Sequence, residues 1–313
     1  NENCTWIHLR FFYAYNEEKK EKDRLRADSY KIAVIGGDKR QVHLARILAK
    51  KCYEVAVYGL CERVHDEKIR EATSLKEALK EVDAAVGPVP FIRSGKITGT
   101  YEVPDMNVEM LFDELPENAV FFAGNIPGEV RNYAEGKGLR SYDMMIDELV
   151  AARNAVATAE GAVAEAIKSS PVNLTKSRCL ILGYGRCGSV LTRLLKSLLC
   201  RVLVSEKDKT RAADAFVLAD GIVSEAELTD AVGNVDFIFN TVPERILSEE
   251  RLRHVGKNTW ILDIASAPGG VDYGAAEALS VNAVLLPGLP GRYAPASSAE
   301  ILADFIESHI RLR

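Results

Sequence analysis

Three glycines, Gly183, Gly185 and Gly188, stand in the spacing G-x-G-x-x-G. An apolar run, 179–182, leads into them, and a stretch of helical periodicity leads out to Leu199. In such a loop each glycine has its own task. The first permits a tight turn, the second lets the main chain approach a pyrophosphate, and the third lets helix and strand pack closely. The helix amino terminus then turns its unpaired N–H groups toward the phosphates. The spacing alone is weak evidence. A strand before it, a helix after it and a second strand at 202–206 make it specific. Gly183, Tyr184, Gly185, Arg186, Cys187 and Gly188 are therefore expected to hold a dinucleotide.

The end of the second strand bears on which dinucleotide. Glu206 lies roughly 20 residues past the loop, where an acid accepts from the ribose 2′-OH and favours NAD. Lys207, Lys209 and Arg211 follow at once, and cations there suit the 2′-phosphate of NADP. The sequence leaves both open. Three further small turns end strands of the same domain: Asn240-Thr241-Val242-Pro243, the stretch from Ala265 and Ser266 to Asp272, and 287–292 with Arg292. Each could be plain turn chemistry. Gathered at one sheet edge beside a nucleotide loop, they favour a site.

An earlier loop, with Gly36, Gly37, Asp38, Lys39, Arg40 and Gln41, is a different case. It lacks the third glycine, and Asp38 would repel a pyrophosphate. A flavodoxin-like or degenerate doubly wound domain fits it. Asp38 and Arg40 would still stand at the carboxyl end of a strand, where open α/β sheets bind ligands and where they could face the cleft between domains.

The elements that must position these residues repeat a simple pattern. Strand candidates at 32–35, 54–58, 84–86, 119–122 and 139–142 alternate with helical or loop segments. A long alanine-rich helix is expected over 148–169, and a second series follows at 179–182, 202–206, 237–241, 260–264 and 284–286. Strand alternating with helix implies parallel sheets covered on both faces. The fold expected is α/β, with two doubly wound parallel-sheet domains, the carboxy-terminal one a Rossmann domain. Residues 31–150 form the first domain and 151–295 the second. The helical stretch 296–313 could fold back on the first. Residues 1–30, an aromatic patch followed by a charge block, stand apart as an extension. The segment 88–104 reads as a long loop of the kind that carries function.

Composition narrows the partners. The chain has 313 residues and a net charge of −5, which gives no electrostatic case for nucleic acid or an anionic membrane. No apolar run approaches the roughly 20 residues needed to span a bilayer. A cytoplasmic location is expected. The six cysteines form no C-x-x-C pair and no zinc spacing, so no metal is expected. No Ser-His-Asp or Cys-His arrangement emerges, which disfavours hydrolase chemistry.

Several separated stretches together resemble one family. They are Ile32-Ala-Val-Ile-Gly-Gly-Asp38-x-Arg40-Gln41, Asn154-x-x-x-Thr158-x-Glu160-Gly161, Leu182-Gly-x-Gly-Arg-x-Gly188, Asn240-Thr-x-Pro243, Leu262-Asp-x-Ala-Ser-x-Pro-Gly-Gly-x-Asp272 and Pro287-Gly-Leu-Pro-Gly-x-x-Ala-Pro295. In this order they resemble the A subunits of dipicolinate synthase from spore-forming bacteria. The resemblance implies oxidation of dihydrodipicolinate to dipicolinate in the sporulating mother cell. It also implies NADP as acceptor, partnership with the flavoprotein-like B subunit of dipicolinate synthase, and an architecture similar to formate/glycerate dehydrogenases. Self-association into a homo-oligomer is also expected. Glu206 is a departure, since no acid is expected there in an NADP enzyme.

A cyclic imine with two carboxylates needs cations, and arginine binds both oxygens of a carboxylate. Arg292 and Arg93 are the first candidates, with Arg40 and Lys39 behind them. Ser266 and Asn125 could hydrogen-bond the substrate. Asp38 or Glu160 could orient a cation or act as base. The catalytic set expected is Asp38, Arg292 and Ser266. The substrate-binding set is Arg40, Arg93, Asn125 and Arg292. The cofactor set is the glycine loop with Glu206, Lys207, Arg211, Thr241, Val242, Pro243, Ala265 and Ser266. Two alternatives remain: a 2-hydroxy-acid dehydrogenase, although no acid–histidine pair is evident, and a non-catalytic nucleotide-binding sensor or scaffold.

Overall fold

The structure is a computed structural model and describes residues 30–310. The aromatic patch and the charge block lie outside the described residues. The chain divides into two compact units. The first comprises the described residues up to Val150 together with those from Pro295 onward, and the second runs from Ala151 to Ala294.

The first unit is built on a six-stranded sheet. Its strands are β1 (Lys31–Ile35), β2 (Glu54–Tyr58), β3 (Ile69–Glu71), β4 (Ala84–Val86), then β7 (Val120–Ala123) and β8 (Arg140–Asp143) after a short hairpin, β5 (Ile92–Arg93) and β6 (Lys96–Ile97). The order is β3-β2-β1-β4-β7-β8, and all neighbours are parallel. The second unit carries β9 (Arg178–Leu182), β10 (Arg201–Ser205), β11 (Gly221–Ile222), β12 (Phe237–Asn240), β13 (Trp260–Asp263) and β14 (Asn282–Leu285). Its order is β11-β10-β9-β12-β13-β14, again parallel throughout.

Counted along its own stretch of chain, each sheet has the order 3-2-1-4-5-6 of a doubly wound dinucleotide-binding fold. Without its three-residue edge strand β3, which follows β2 with no helix between, the first sheet reads 2-1-3-4-5, the order of a flavodoxin-like domain. The central strands are apolar on both faces because helices cover both. In β1, Ile32 and Val34 enter one core cluster while Ala33 and Ile35 enter the other. Cys179 and Ile181 of β9 are divided in the same way from Leu180 and Leu182.

The segment 88–104 is not wholly irregular, since it contains the β5–β6 hairpin. Helix Pro295–Ile310 packs on helix Lys39–Lys50 in the first unit. Leu302 and Ile306 join Leu44 and Leu48 in one core cluster, and Glu307 accepts from Lys51 Nζ at 2.5 Å. The unit boundary falls in the first turn of the long helix Glu148–Ser169. Among the described residues no helix is long and apolar enough to cross a membrane. None of the His, Cys, Asp and Glu side chains there form a group of three able to hold a metal ion.

Candidate functional site

In the second unit the loops that leave the carboxyl ends of β9, β10, β12 and β13 are tied to one another. Gly183 takes φ +90°, its N–H donates to the Ser205 carbonyl at 2.8 Å, and a Cβ there would stand 2.5 Å from Thr241 Oγ1. At Gly188 a Cβ would stand 3.0 Å from the Gly183 carbonyl carbon and closer still to its oxygen. Only hydrogen fits, so helix Arg186–Ser197 can press on the strand end. A Cβ at Gly185 would meet nothing nearer than Arg211 Nη1, at 3.9 Å. Gly185 is the helix N-cap and offers no capping side chain. The helix thus begins without a side-chain cap, with room at Gly185 beside the positive end of its dipole, as a pyrophosphate site requires.

Cys187 lies within this loop. Burial pushes its thiol above the usual range, although Arg186 and a Thr158 hydrogen bond pull the other way. A protonated, sheltered thiol suits packing. Beside the loop, Glu206 accepts the Tyr184 N–H at 2.7 Å and the Asp208 N–H at 2.9 Å. Arg211 Nη1 stands 4.0 Å from the same carboxylate, and Lys207 pairs with Glu244 at 3.3 Å.

A buried polar network holds the two middle loops. Asp263, the last residue of β13, is fully buried. Its Oδ1 accepts from Asn240 Nδ2 at 2.8 Å and from Ala265 N–H at 3.1 Å. Its Oδ2 accepts from Gly270 N–H and from the Tyr273 hydroxyl, both at 2.8 Å. Burial, followed by the bond and charge of Asp263, pushes the Tyr273 hydroxyl far above its ordinary range, so it remains a donor. Asn240 in turn clasps its own turn, donating to the Val242 carbonyl and accepting the Val242 N–H. Thr241 Oγ1 donates to the Leu182 carbonyl at 2.9 Å. Thr241, Val242 and Pro243 are thus fixed against the end of β9, and Ala265 and exposed Ser266 are fixed above β13. Sequence reasoning named these loop residues but missed Asp263 and Tyr273 as their fasteners. A carboxylate closing an apolar strand was the available signal.

Arg292 lies on the short helix Leu289–Tyr293 after β14. Its guanidinium donates to Glu165 of the long helix, and the Tyr293 hydroxyl donates to the same oxygen at 2.6 Å. Arg292 is half-exposed and Glu165 is buried. The Tyr293 hydrogen bond, with the Arg292 charge, overcomes burial and holds Glu165 below the usual carboxylate range. Gly161 lets the two segments meet, because a Cβ there would stand 2.9 Å from the Tyr293 ring. Sequence reasoning overlooked Glu165. Glu160, which it named, is exposed in a groove of the second unit with Arg186 and Arg193.

The corresponding turn of the first unit is closed by its own side chains. Asp38 caps helix Lys39–Lys50, accepting from Arg40 N–H at 2.9 Å, while Gln41 Oε1 accepts the Asp38 N–H at 3.1 Å. The helix end that suits phosphate in the second unit is thus occupied here. Arg40 is buried, bonds Asp38 through Nε at 2.9 Å and Nη2 at 2.7 Å, and also donates to the Val89 carbonyl. Its guanidinium bridges the loops after β1 and β4, where the strand order reverses. Burial raises the Asp38 carboxyl, but the bonds and charge of Arg40, aided by Arg93, bring it below its ordinary value. Of the two roles open to Asp38, orienting a cation suits these surroundings. Arg93 lies exposed on β5, near enough to act on Asp38. Asn125 is exposed after β7, with φ +52° and its N–H on Asp143 at 2.8 Å. Lys39 is also exposed.

Comparison with known proteins covers nearly the whole of this frame. Residues 31–145 match the family model for the N-terminal domain of the dipicolinate synthase A subunit. Residues 145–280 match that of the D-isomer specific 2-hydroxyacid dehydrogenase NAD-binding domain. The A subunit of dipicolinate synthase from Bacillus subtilis (strain 168) is 28% identical over 282 residues, spanning 88% of this chain and 94% of that protein. Among solved structures, the A subunit of dipicolinate synthase from Bacillus halodurans superposes with a TM-score of 0.81 at 24% identity, over 89% of this chain and 97% of that one. The corresponding crystal structure from Bacillus subtilis gives 0.78 at 27% identity, over 90% and 96%.

Proposed function

The chain belongs to the family of dipicolinate synthase A subunits, and from that premise we propose that it oxidises dihydrodipicolinate to dipicolinate with NADP as hydride acceptor. It does so together with a flavoprotein-like B subunit, in the cytoplasm of a sporulating mother cell. Its dehydrogenase-type NAD-binding domain makes it an oxidoreductase by family. The observation that carries the reading is the open helix end at Gly185, walled by loops that Asp263 and Asn240 fasten.

The residues present fit a nicotinamide dinucleotide. Gly183, Gly185 and Gly188 provide the close approach, and Thr241, Val242, Pro243, Ala265 and Ser266 border it. The dinucleotide these residues would hold would supply the acceptor for a hydride from a ring carbon of the substrate. A proton is lost to solvent water from the neighbouring position at the same stage, and the ring becomes an aromatic pyridine. The chain supplies binding and orientation. Arg292, pre-set by Glu165 and Tyr293, offers its outer N–H groups to one carboxylate. In the first unit Arg93, with Asp38 beside it, is a further exposed cation. Ser266 stands exposed as a hydroxyl partner. Asp38 orients this positive charge and does not itself take the proton.

Replacing Arg292 by Ala tests the reading. The KM for the dicarboxylate is expected to rise by about 10-fold or more, in line with loss of a charge-assisted hydrogen bond. Unchanged turnover and unchanged substrate affinity would remove Arg292 from the site.

A further inference from the structure

The acid that would mark an NAD site is bonded to the protein's own backbone. Glu206 follows β10, and its side chain is only 8% exposed. Oε2 takes the N–H of Tyr184, the second residue of the glycine loop, at 2.7 Å. Oε1 takes the N–H of Asp208 at 2.9 Å. Asp208 then caps helix Lys209–Phe216 through the Arg211 N–H, also at 2.9 Å. One carboxylate thus links three pieces: the end of β10, the glycine loop and the start of the next helix. A ribose-reading acid must aim its oxygens at the 2′- and 3′-hydroxyls of the ligand. Here both oxygens already serve backbone donors, which would lose their partners if the carboxylate swung away.

Arg211 occupies the place left for a reader. Its Nη1 lies 4.0 Å from Glu206 Oε2 and 3.9 Å from the position of a Cβ on Gly185. Its side chain is 54% exposed. A guanidinium therefore stands at the mouth of the glycine loop, with one side toward Glu206 and much of its surface in solvent. Guanidinium groups bind phosphate monoesters with two parallel hydrogen bonds. Lys207 carries charge nearby, but it is turned to Glu244 in an exposed pair that contributes little.

We infer that Glu206 is a strut of the glycine loop and not the ribose reader, and that Arg211 selects dinucleotides carrying a 2′-phosphate. The inference rests on the NADP reading above and deepens it. Glu206 becomes a positioning residue, and its negative charge is balanced by two N–H donors and by Arg211. A like charge on the ligand is then tolerated beside it. The usual logic is inverted: removing the acid does not convert the site toward NADP, because the acid never discriminated.

The test titrates the full chain with NADPH and with NADH by nicotinamide fluorescence, for wild type, Arg211→Gln, Glu206→Ala and Glu206→Gln. Wild type is expected to favour NADPH. Arg211→Gln is expected to weaken NADPH by about 10–100-fold and leave NADH within about twofold. Glu206→Ala is expected to weaken both nucleotides in parallel, with their ratio unchanged. Should that variant fail to fold, Glu206→Gln keeps one acceptor oxygen and is expected to give a smaller parallel loss. A Glu206 variant that weakens NADH alone, or tightens NADPH, makes Glu206 the ribose reader and overturns the strut. A wild-type preference for NADPH that survives Arg211→Gln overturns the Arg211 assignment and leaves the NADP reading standing. A wild-type preference for NADH overturns the NADP reading and the Arg211 assignment together.

Discussion

Gly188 and Gly183 meet face to face. A Cβ on Gly188 would stand 3.0 Å from the Gly183 carbonyl carbon and nearer to its oxygen, whereas a Cβ on Gly185 would find open space up to Arg211. Two glycines three residues apart thus have different work. One closes the fold and the other clears room for a ligand.

Substitution separates these roles. Gly185→Ala places a methyl in open space at a φ of −76°, so its melting temperature is expected to shift by less than about 2 °C. Its affinity for NADPH is expected to fall by about 10-fold or more, because the methyl stands where a pyrophosphate approaches. Gly188→Ala is expected to lose stability and binding together. Thermal denaturation alongside nucleotide titration checks both. Undiminished binding by Gly185→Ala would move the phosphates elsewhere.

Asp263 accepts four hydrogen bonds in a fully buried setting. Asparagine there points an NH2 at donors and leaves at least one of them unpaired. Asp263→Asn is expected to cost about 3 kcal/mol, and Tyr273→Phe about 1 kcal/mol. Denaturant unfolding of both single variants and the double variant measures this. An additive double variant would mean that the two side chains do not act through one bond.

The first unit carries a pH-dependent contribution at Asp38. Its folded carboxyl lies below the ordinary value of 3.8, because Arg40 outweighs burial. Stabilisation from this group is therefore fully present above the unfolded value and is lost as pH falls through the folded one. Asp38→Asn is expected to cost about 1 kcal/mol at neutral pH, and the cost is expected to shrink below about pH 4. Unfolding curves for both proteins from neutral to acid pH provide the comparison. A gap that stays constant over that range would show that the ionised form is not favoured.

Cys187 sits in the nucleotide loop with its thiol raised by burial. Cys187→Ser is expected to bind NADPH within about threefold of wild type, since a half-buried thiol kept protonated is inert. A larger loss, measured in the same titration, would point to a redox or contact role.

The extent to which sequence reveals this molecule follows from which forces are local. Strands such as β1, β4 and β12 are continuous apolar runs because both faces are buried, and such runs stand out. The edge strands β3 and β11 do not. β3 buries only Ile69, and β11 has two half-buried residues. The glycine loop is legible because strand, turn and helix are consecutive. Glu165, Asp263 and Tyr273 are not, since each acts through a partner in another segment, and Glu165 reaches Arg292 across 127 residues. The partners of Arg40 are hidden for a related reason. A cation at a strand end can face solvent or a neighbouring loop, and only the fold brings the Val89 carbonyl within its reach.

Reconstituted turnover bears most directly on the proposed reaction. The purified chain would be mixed with the proposed flavoprotein-like B subunit, NADP and freshly prepared 4-hydroxy-tetrahydrodipicolinate, which loses water to give dihydrodipicolinate, while dipicolinate absorbance and NADPH are followed together. Dipicolinate is expected to appear in step with NADPH, and only when the chain and its partner are both present. No dipicolinate in any combination, or the same rate with the chain left out, would contradict the assignment.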